Sequence, residues 1–296
     1  MDTILSINSI SKSYGPIQAL KGVSFNIPKG SVFGVLGPNG SGKTTLLGIL
    51  LDVLRADAGT YSWLGGIPVN DARKKIGSLL ETPNFYHYMT AWDNLEISAA
   101  IKGRGLDERS AVLEQTGLFE RKDSKFQTFS LGMKQRLAIA STLLGNPDVL
   151  VFDEPTNGLD PAGIAEIRDL IKRLNNEGKT IIMASHLLDE VEKVCTHVAI
   201  LKKGDLLLSG KVDDVLRHED QIEIAAQDLN RLFGIIKEMA GVTDAKLLNN
   251  TVLLSCDAVT TSEMINSYCA QHGVTLSHLL LKKKSLETKF MELTSK

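Results

Sequence analysis

The run Gly37-Pro38-Asn39-Gly40-Ser41-Gly42-Lys43-Thr44-Thr45 has the spacing G-x-x-x-x-G-K-[ST], a pattern suited to holding phosphate. Its glycines let the backbone curl so that successive N–H groups point inward. A helix starting at the end of the run adds about half an elementary charge at its N-terminus. Lys43 is then the cation for β- and γ-phosphates, and Thr44 offers a hydroxyl to Mg²⁺. A second chemical signal lies downstream, where the apolar stretch Pro147–Phe152 runs into Asp153 and Glu154. Two carboxylates ending a buried strand are costly unless a cation meets them. Beside a phosphate loop, Asp153 is expected to hold Mg²⁺ through its waters, and Glu154 to act as general base on the attacking water. Ser130 and Gly132 open a strong helical pattern, which gives a second anion-receptive helix end. His186 closes another apolar run, where a lone histidine reads as structural.

These residues need elements to carry them. Residues 31–36 read as a short buried strand before the phosphate loop, and 45–51 as the apolar helix after it. Residues 4–10 form a half-buried strand, with Tyr14 in a turn just past its end, and Val23–Ile27 alternate as a second strand. A strand from Ile76 ends near Leu80. The loop behind it is dense in aromatics, with Phe85, Tyr86, Tyr88 and Trp92 close together. Such a loop reads first as a docking surface and second as a local core; His87 within it reads as a surface residue. Residues 90–145 read as helical, with Thr90 and Asp93 as caps and a helix over 107–116. Strands are expected at 147–154, 180–186 and 198–201, with a helix over 162–176 between the first two.

Composition limits the possibilities. Across 296 residues the formal net charge is −2, so nothing marks a bulk nucleic-acid binder. Cys195, Cys256 and Cys269 have no metal or redox spacing and read as reduced thiols. No secretory signal is visible at the N-terminus, and no apolar run reaches the length of a membrane span. Action at a membrane therefore needs a partner chain.

Taken together, these motifs resemble the ATP-binding subunits of ABC transporters over residues 1 to about 216. The resemblance implies an α/β P-loop NTPase cassette: a mostly parallel sheet, added antiparallel strands and a helical subdomain at about 84–146. It implies ATP and Mg²⁺ as ligands. Tyr14 looks like the adenine-stacking aromatic, Phe129–Met133 the signature segment, and Asn157–Asp160 the loop that senses the opposite subunit. His186 looks like the switch histidine at the γ-phosphate, beside Glu154 and Lys43. Glu81 stands where the family usually has a glutamine near the metal. In the family two cassettes close head-to-tail, so Ser130 and Gly132 would cap the partner's nucleotide. A transmembrane permease would dock near Glu81–Trp92, which implies a cytoplasmic position on the inner face of the membrane. Leu131 and Met133 depart from the family's Leu-Ser-Gly-Gly-Gln. With Glu81, these departures resemble the subgroup of bacitracin and lantibiotic resistance exporters.

Residues 219–296 lie outside that cassette. Their pattern suggests β-α-β-β-α-β, a small accessory α+β domain. Ile222–Ile224 alternates as a strand, Leu229–Met239 has helical spacing, and Asn249-Asn250 signals a hairpin. A helix fits 261–271 and a strand 274–280, and Lys282–Lys284 reads as a solvated turn. Two other functions compete with an ATPase that powers transport. One is a soluble cassette acting on ribosomes or nucleic acid; the single uninterrupted cassette and lack of a basic stripe disfavour it. The other is a module that holds ATP without turnover, against which Glu154 and His186 both argue.

Overall fold

The computed structural model describes residues 2–80, 84–216, 221–257, 259–282 and 286–294. The chain forms two compact units, Met1–Val212 and Asp213–Lys296. In the first, β1 (Thr3–Tyr14) and β2 (Ile17–Pro28) make an antiparallel hairpin. Both strands are longer than the alternation alone predicts. Tyr14 is accordingly the last residue of β1 rather than a turn residue, because Tyr14 still pairs with Ile17. β3 (Val32–Leu36) runs through the phosphate loop into α1 (Lys43–Leu50). β4 (Ala58–Trp63) returns antiparallel to β1, and α2 (Val69–Lys74) leads to β5 (Ile76–Leu79).

The helical stretch divides into three, α3 (Ala91–Lys102), α4 (Arg109–Gln115) and α5 (Leu131–Leu143), with the break expected at Gly103–Gly105 and 3₁₀ turns at Phe119–Arg121 and Phe126–Thr128 between α4 and α5. Thr90 and Asp93 form a reciprocal capping box on α3, and Gly103 at φ 65° ends it. Then come β6 (Val149–Asp153), α6 (Pro161–Asn176), β7 (Thr180–Ser185), α7 (Leu188–Glu192), β8 (His197–Lys202) and β9 (Asp205–Lys211).

The main sheet has the order β5-β6-β7-β3-β8-β9, parallel except for β9. β3, β6 and β7 are buried along their whole length. That explains why they read as continuous apolar runs instead of alternating ones. Phe33 and Phe152 are fully buried, and Phe25 stacks on Phe33 at 5.3 Å. Each such side chain stabilises the core by about 1.5–3 kcal/mol. Leu36 pairs with Ser185 and Asp153 with Ala184, so three strands end level. The phosphate loop, Glu154 and His186 emerge together from that level edge. Ligands of open parallel sheets bind at this end of the strands.

α8 (Val212–Leu216) begins at the end of the first unit. The second unit contains β10 (Gln221–Ala226), α9 (Leu229–Ile236), β11 (Val242–Leu247), β12 (Val252–Cys256), α10 (Ser262–Gln271), β13 (Leu276–Lys282) and α11 (Leu286–Thr294). Its antiparallel sheet has the order β11-β12-β10-β13. Ile222, Ile224, Leu232, Val252 and Ile265 lie in its own core. The helix expected to reach Met239 stops at Ile236, although Met239 is still buried. Lys282, read as part of a solvated turn, instead ends β13, paired with Gln221 and bridged to Glu223 at 2.6 Å; Lys283 and Lys284 lie outside the described residues.

Candidate functional site

The phosphate loop takes a backbone path that only glycine follows easily. Gly37, Gly40 and Gly42 have φ of 157°, 78° and 106°. A Cβ on Gly42 would run into the Ala19 carbonyl of β2, and one on Gly37 into the Leu201 carbonyl and Ser41 Oγ. Only glycine lets the loop pass this close to β2 and β8. Pro38, Asn39 and Gly40 stay exposed at its rim, while Ser41 is buried. The Ser41 hydroxyl is buried without a hydrogen-bond partner among the described residues. An unsatisfied buried hydroxyl is costly, so it fits a loop built to receive external oxygens.

Lys43 is 6 % exposed, and its Nζ donates to Gly37 O at 2.8 Å and to Pro38 O at 3.3 Å. The loop's own carbonyls thus hold the ammonium folded over the cradle. Glu154 Oε1 stands 3.4 Å from the same Nζ. The other oxygen, Oε2, lies 2.8 Å from His186 Nδ1. The His186 backbone N–H also donates to Oε2, at 3.4 Å. The three residues proposed from sequence as catalytic therefore meet in one connected chain of contacts.

Glu154 takes a left-handed backbone conformation, φ 51°, immediately after β6. Non-glycine residues avoid this region, and strain of this kind concentrates at functional sites. Its N–H still donates to Ala184 O at 3.0 Å, so the ladder to β7 continues one step while the side chain turns toward Lys43. β7 ends in the same place with Ser185, whose Oγ accepts from Leu187 N at 3.0 Å and fixes the turn that presents His186.

Asp153 is 3 % exposed at the end of β6, and Thr44 is exposed at the start of α1. Among the described residues no cluster of three His, Cys, Asp or Glu side chains forms a metal cage. One carboxylate and one hydroxyl beside a phosphate cradle suit Mg²⁺, which keeps waters and phosphate oxygens as its other ligands. Glu81 lies outside the described residues.

The remaining expected residues are not joined to this chain of contacts. Ser130 is exposed and caps α5, its Oγ accepting from Met133 N at 3.3 Å. Gly132 has open space where a Cβ would stand. Leu131 is 51 % exposed, and its side chain lies against Gly158, in the Asn157–Asp160 loop. Asp160 caps α6, with Oδ1 accepting from Gly163 N at 2.9 Å. Tyr14 is 47 % exposed at the tip of the β1–β2 hairpin. That hairpin abuts the phosphate loop where Ala19 O meets Gly42.

The aromatic loop divides its residues between two roles, which corrects the reading of all four aromatics as a docking surface. Phe85 and His87 set their rings against Phe126, at 5.2 and 5.5 Å. Trp92 lies beneath the Arg109 guanidinium, 4.3 Å from ring to charge. Phe85 and Trp92 are thus engaged in packing within the helical region. Tyr86 and Tyr88 remain 51 % and 67 % exposed. Tyr86 borders a groove of about 300 Å³ whose other walls include Asn94, Ile97 and Ile101 of α3. Sequence reading missed Lys12 and Asp57, whose contacts bear on Tyr14; Lys12 stands two residues before Tyr14, and no pattern marks Asp57.

No helix among the described residues is long and apolar enough to cross a membrane. Residues 20–157 match the family model described as ABC transporter. The ABC transporter ATP-binding protein YdbJ of Bacillus subtilis is 41 % identical over 246 residues, 79 % of each chain. The bacitracin transport ATP-binding protein BcrA of Enterococcus faecalis is 31 % identical over 99 % of this chain and 97 % of its own. Among solved structures, CbiO1 of Clostridium perfringens, part of the ABC transporter complex CbiONQ, superposes with a TM-score of 0.67. It is 32 % identical and matches 74 % of this chain and 92 % of its own. The dimeric bacterial ABC transporter cassette MJ0796 gives 0.62 at 28 % identity, over 70 % of this chain and 98 % of its own.

Proposed function

We propose that this chain, which belongs to the ATP-binding proteins of ABC transporters, hydrolyses ATP through Lys43, Glu154 and His186 to drive export of an antimicrobial peptide or drug. The contact chain from Lys43 Nζ through Glu154 to His186 Nδ1 carries the reading of the site. Gly37–Thr45 receives the phosphates on its N–H groups, with Lys43 turned toward the β- and γ-phosphates. The neighbouring Tyr14 offers its exposed ring to the adenine. Glu154 takes a proton from the attacking water, and His186 orients that carboxylate from its far oxygen. Thr44 and Asp153 are the residues that would hold Mg²⁺, which would neutralise charge developing on the transferred phosphoryl group.

The export reading rests on full-length similarity to a bacitracin transport protein. Two copies close head-to-tail, so that Ser130 and Gly132 of one chain cap the nucleotide held by the other. Leu131, within that capping segment, lies against Gly158 of the Asn157–Asp160 loop. A permease docks at Tyr86, Tyr88 and the groove along α3. On this reading the chain works at the inner face of the membrane. Purification from native membranes is the decisive experiment. The expected result is co-purification of a polytopic membrane protein, with ATPase activity that a bacitracin-like peptide or drug stimulates. Recovery on ribosomes with no membrane partner would overturn the transport assignment.

A further inference from the structure

β1 is held by different partners along its length. β4 pairs with it from Leu5↔Trp63 to Ser11↔Ala58 and goes no further. Lys12, Ser13 and Tyr14 therefore have a strand neighbour only on the β2 side. On the open side stands Asp57, the residue just before β4. Its N–H donates to Ser11 O at 2.9 Å. Its Oδ2 accepts from Ser13 N at 2.6 Å, and its Oδ1 accepts from Lys12 Nζ at 2.8 Å. The Lys12 ammonium in turn lies 5.7 Å from the Tyr14 ring centroid. One carboxylate thus takes the place of a missing strand for the last residues before Tyr14. It also anchors the cation that faces the Tyr14 ring.

We propose that Asp57 is a positioning residue for nucleobase recognition: through Ser13 N–H and Lys12 Nζ it fixes Tyr14 as a platform at a set distance from the phosphate loop. The inference rests on the reading of Tyr14 as the adenine-stacking residue. α1 leaves the phosphate loop at Lys43, and the chain reaches Asp57 soon after α1 ends, so one short segment carries both the phosphate cation and the support of the base platform. Direct packing ties the two halves together, since Ala19 O on the same hairpin meets Gly42. The Lys12 and Ser13 hydrogen bonds hold the Asp57 carboxyl below its ordinary value, so it is ionised and accepts both bonds throughout the neutral range.

An asparagine at this position has a single acceptor oxygen, so it can keep one of the two bonds and must turn a donor toward the other. The test uses the full chain and two probes, ATP and inorganic tripolyphosphate, which shares the phosphates but has no base. Tyr14→Ala and Asp57→Asn are each expected to weaken ATP binding about tenfold, with tripolyphosphate held within about twofold. The double variant should lose no more than Tyr14→Ala alone, because both changes remove the same contact. An unchanged ratio of ATP to tripolyphosphate affinity in Tyr14→Ala would overturn the stacking reading itself. A lowered ratio in Tyr14→Ala with a parental ratio in Asp57→Asn would overturn the positioning role. Equal loss of both probes in Asp57→Asn would also overturn it, by showing that Asp57 only supports the fold. Lys12→Met, which keeps the side-chain bulk, should lower the ratio less than Asp57→Asn, because the Ser13 bond survives; no change at all would remove the cation from the proposal.

Discussion

His186 Nδ1 lies 2.8 Å from Glu154 Oε2, while Oε1 of the same carboxylate faces Lys43 Nζ at 3.4 Å. One side chain therefore answers to two groups, the cation of the phosphate loop and the imidazole at the end of β7. On the mechanism proposed above, a γ-phosphate would compete with Oε1 for Lys43 and leave the His186 contact on Oε2 in place. Glu154 would then be freed on one oxygen and still aimed from the other. Its φ of 51° makes this reach possible from the end of a strand whose side chains otherwise point into the core.

Glu154→Gln keeps the shape and loses the base. ATP binding is expected to stay within about threefold of the parent while phosphate release falls by about 10² or more. Parental turnover in this variant would remove Glu154 from the mechanism. Lys43→Ala should lose ATP binding instead, because the positive partner of the phosphates is gone.

His186→Ala tests the orienting contact separately. Glu154 stays present but loses its partner on Oε2. Turnover is expected to fall by about tenfold to a hundredfold, with ATP affinity little changed. A loss of ATP affinity at constant turnover would place His186 in binding rather than in orientation.

Assembly can be read in the Glu154→Gln background, where bound ATP persists. Adding Ser130→Arg puts a bulky cation at the exposed cap of α5. ATP binding by the single chain should survive, and the ATP-dependent dimer should disappear on sizing with light scattering. A dimer that persists would contradict capping across the interface.

A chain ended at residue 218 should bind ATP with parental affinity. Every phosphate, metal and base candidate precedes Gly204, and the second unit has its own core around Ile222, Ile224 and Leu254. Loss of ATP binding by a folded truncation, checked by circular dichroism, would show that the second unit contributes to the site.

The sequence exposed the site wherever chemistry forces residue type. The phosphate loop needs glycines and a lysine at fixed spacing, and a carboxylate pair ending an apolar run is too costly to be incidental. It could not show that Glu154 turns back through a left-handed backbone, because that conformation is imposed by β7 and the loop around it. The full length of β1 is not legible in the sequence, since Lys12, Ser13 and Tyr14 are held by β2 and Asp57 rather than by a buried face with its own period. β4 and α2 left no signal: most of β4 is exposed, so little alternation marks it. The aromatic loop misled for a related reason. Composition reports that four aromatics are near one another, but only the position of Phe126 decides that Phe85 packs and Tyr86 does not.

Lys102 gives a prediction in pH. It ends α3, and its Nζ donates to Ser141 O at 2.5 Å and to Thr142 O at 3.3 Å, in the last turn of the helix that Ser130 begins. Burial, with Arg104 nearby, lowers its pKa from 10.5 to about 8. The folded protein thus releases this proton more readily than the unfolded chain does. Below about pH 8 both states are charged, and the folded state bears the cost of a buried ammonium. Between about 8 and 10.5 the unfolded chain keeps the proton and the folded chain has lost it, so stability rises with pH. The neutral amine still has two hydrogens for the two carbonyls. Lys102→Met removes the titration. The unfolding free energy of the parent relative to this variant should climb across that window, by at most about 1.4 kcal/mol per pH unit. Urea melts of both proteins at pH 7, 8, 9 and 10 would measure it. A flat difference would mean that Lys102 is charged throughout and tethers α3 to α5 as an ammonium.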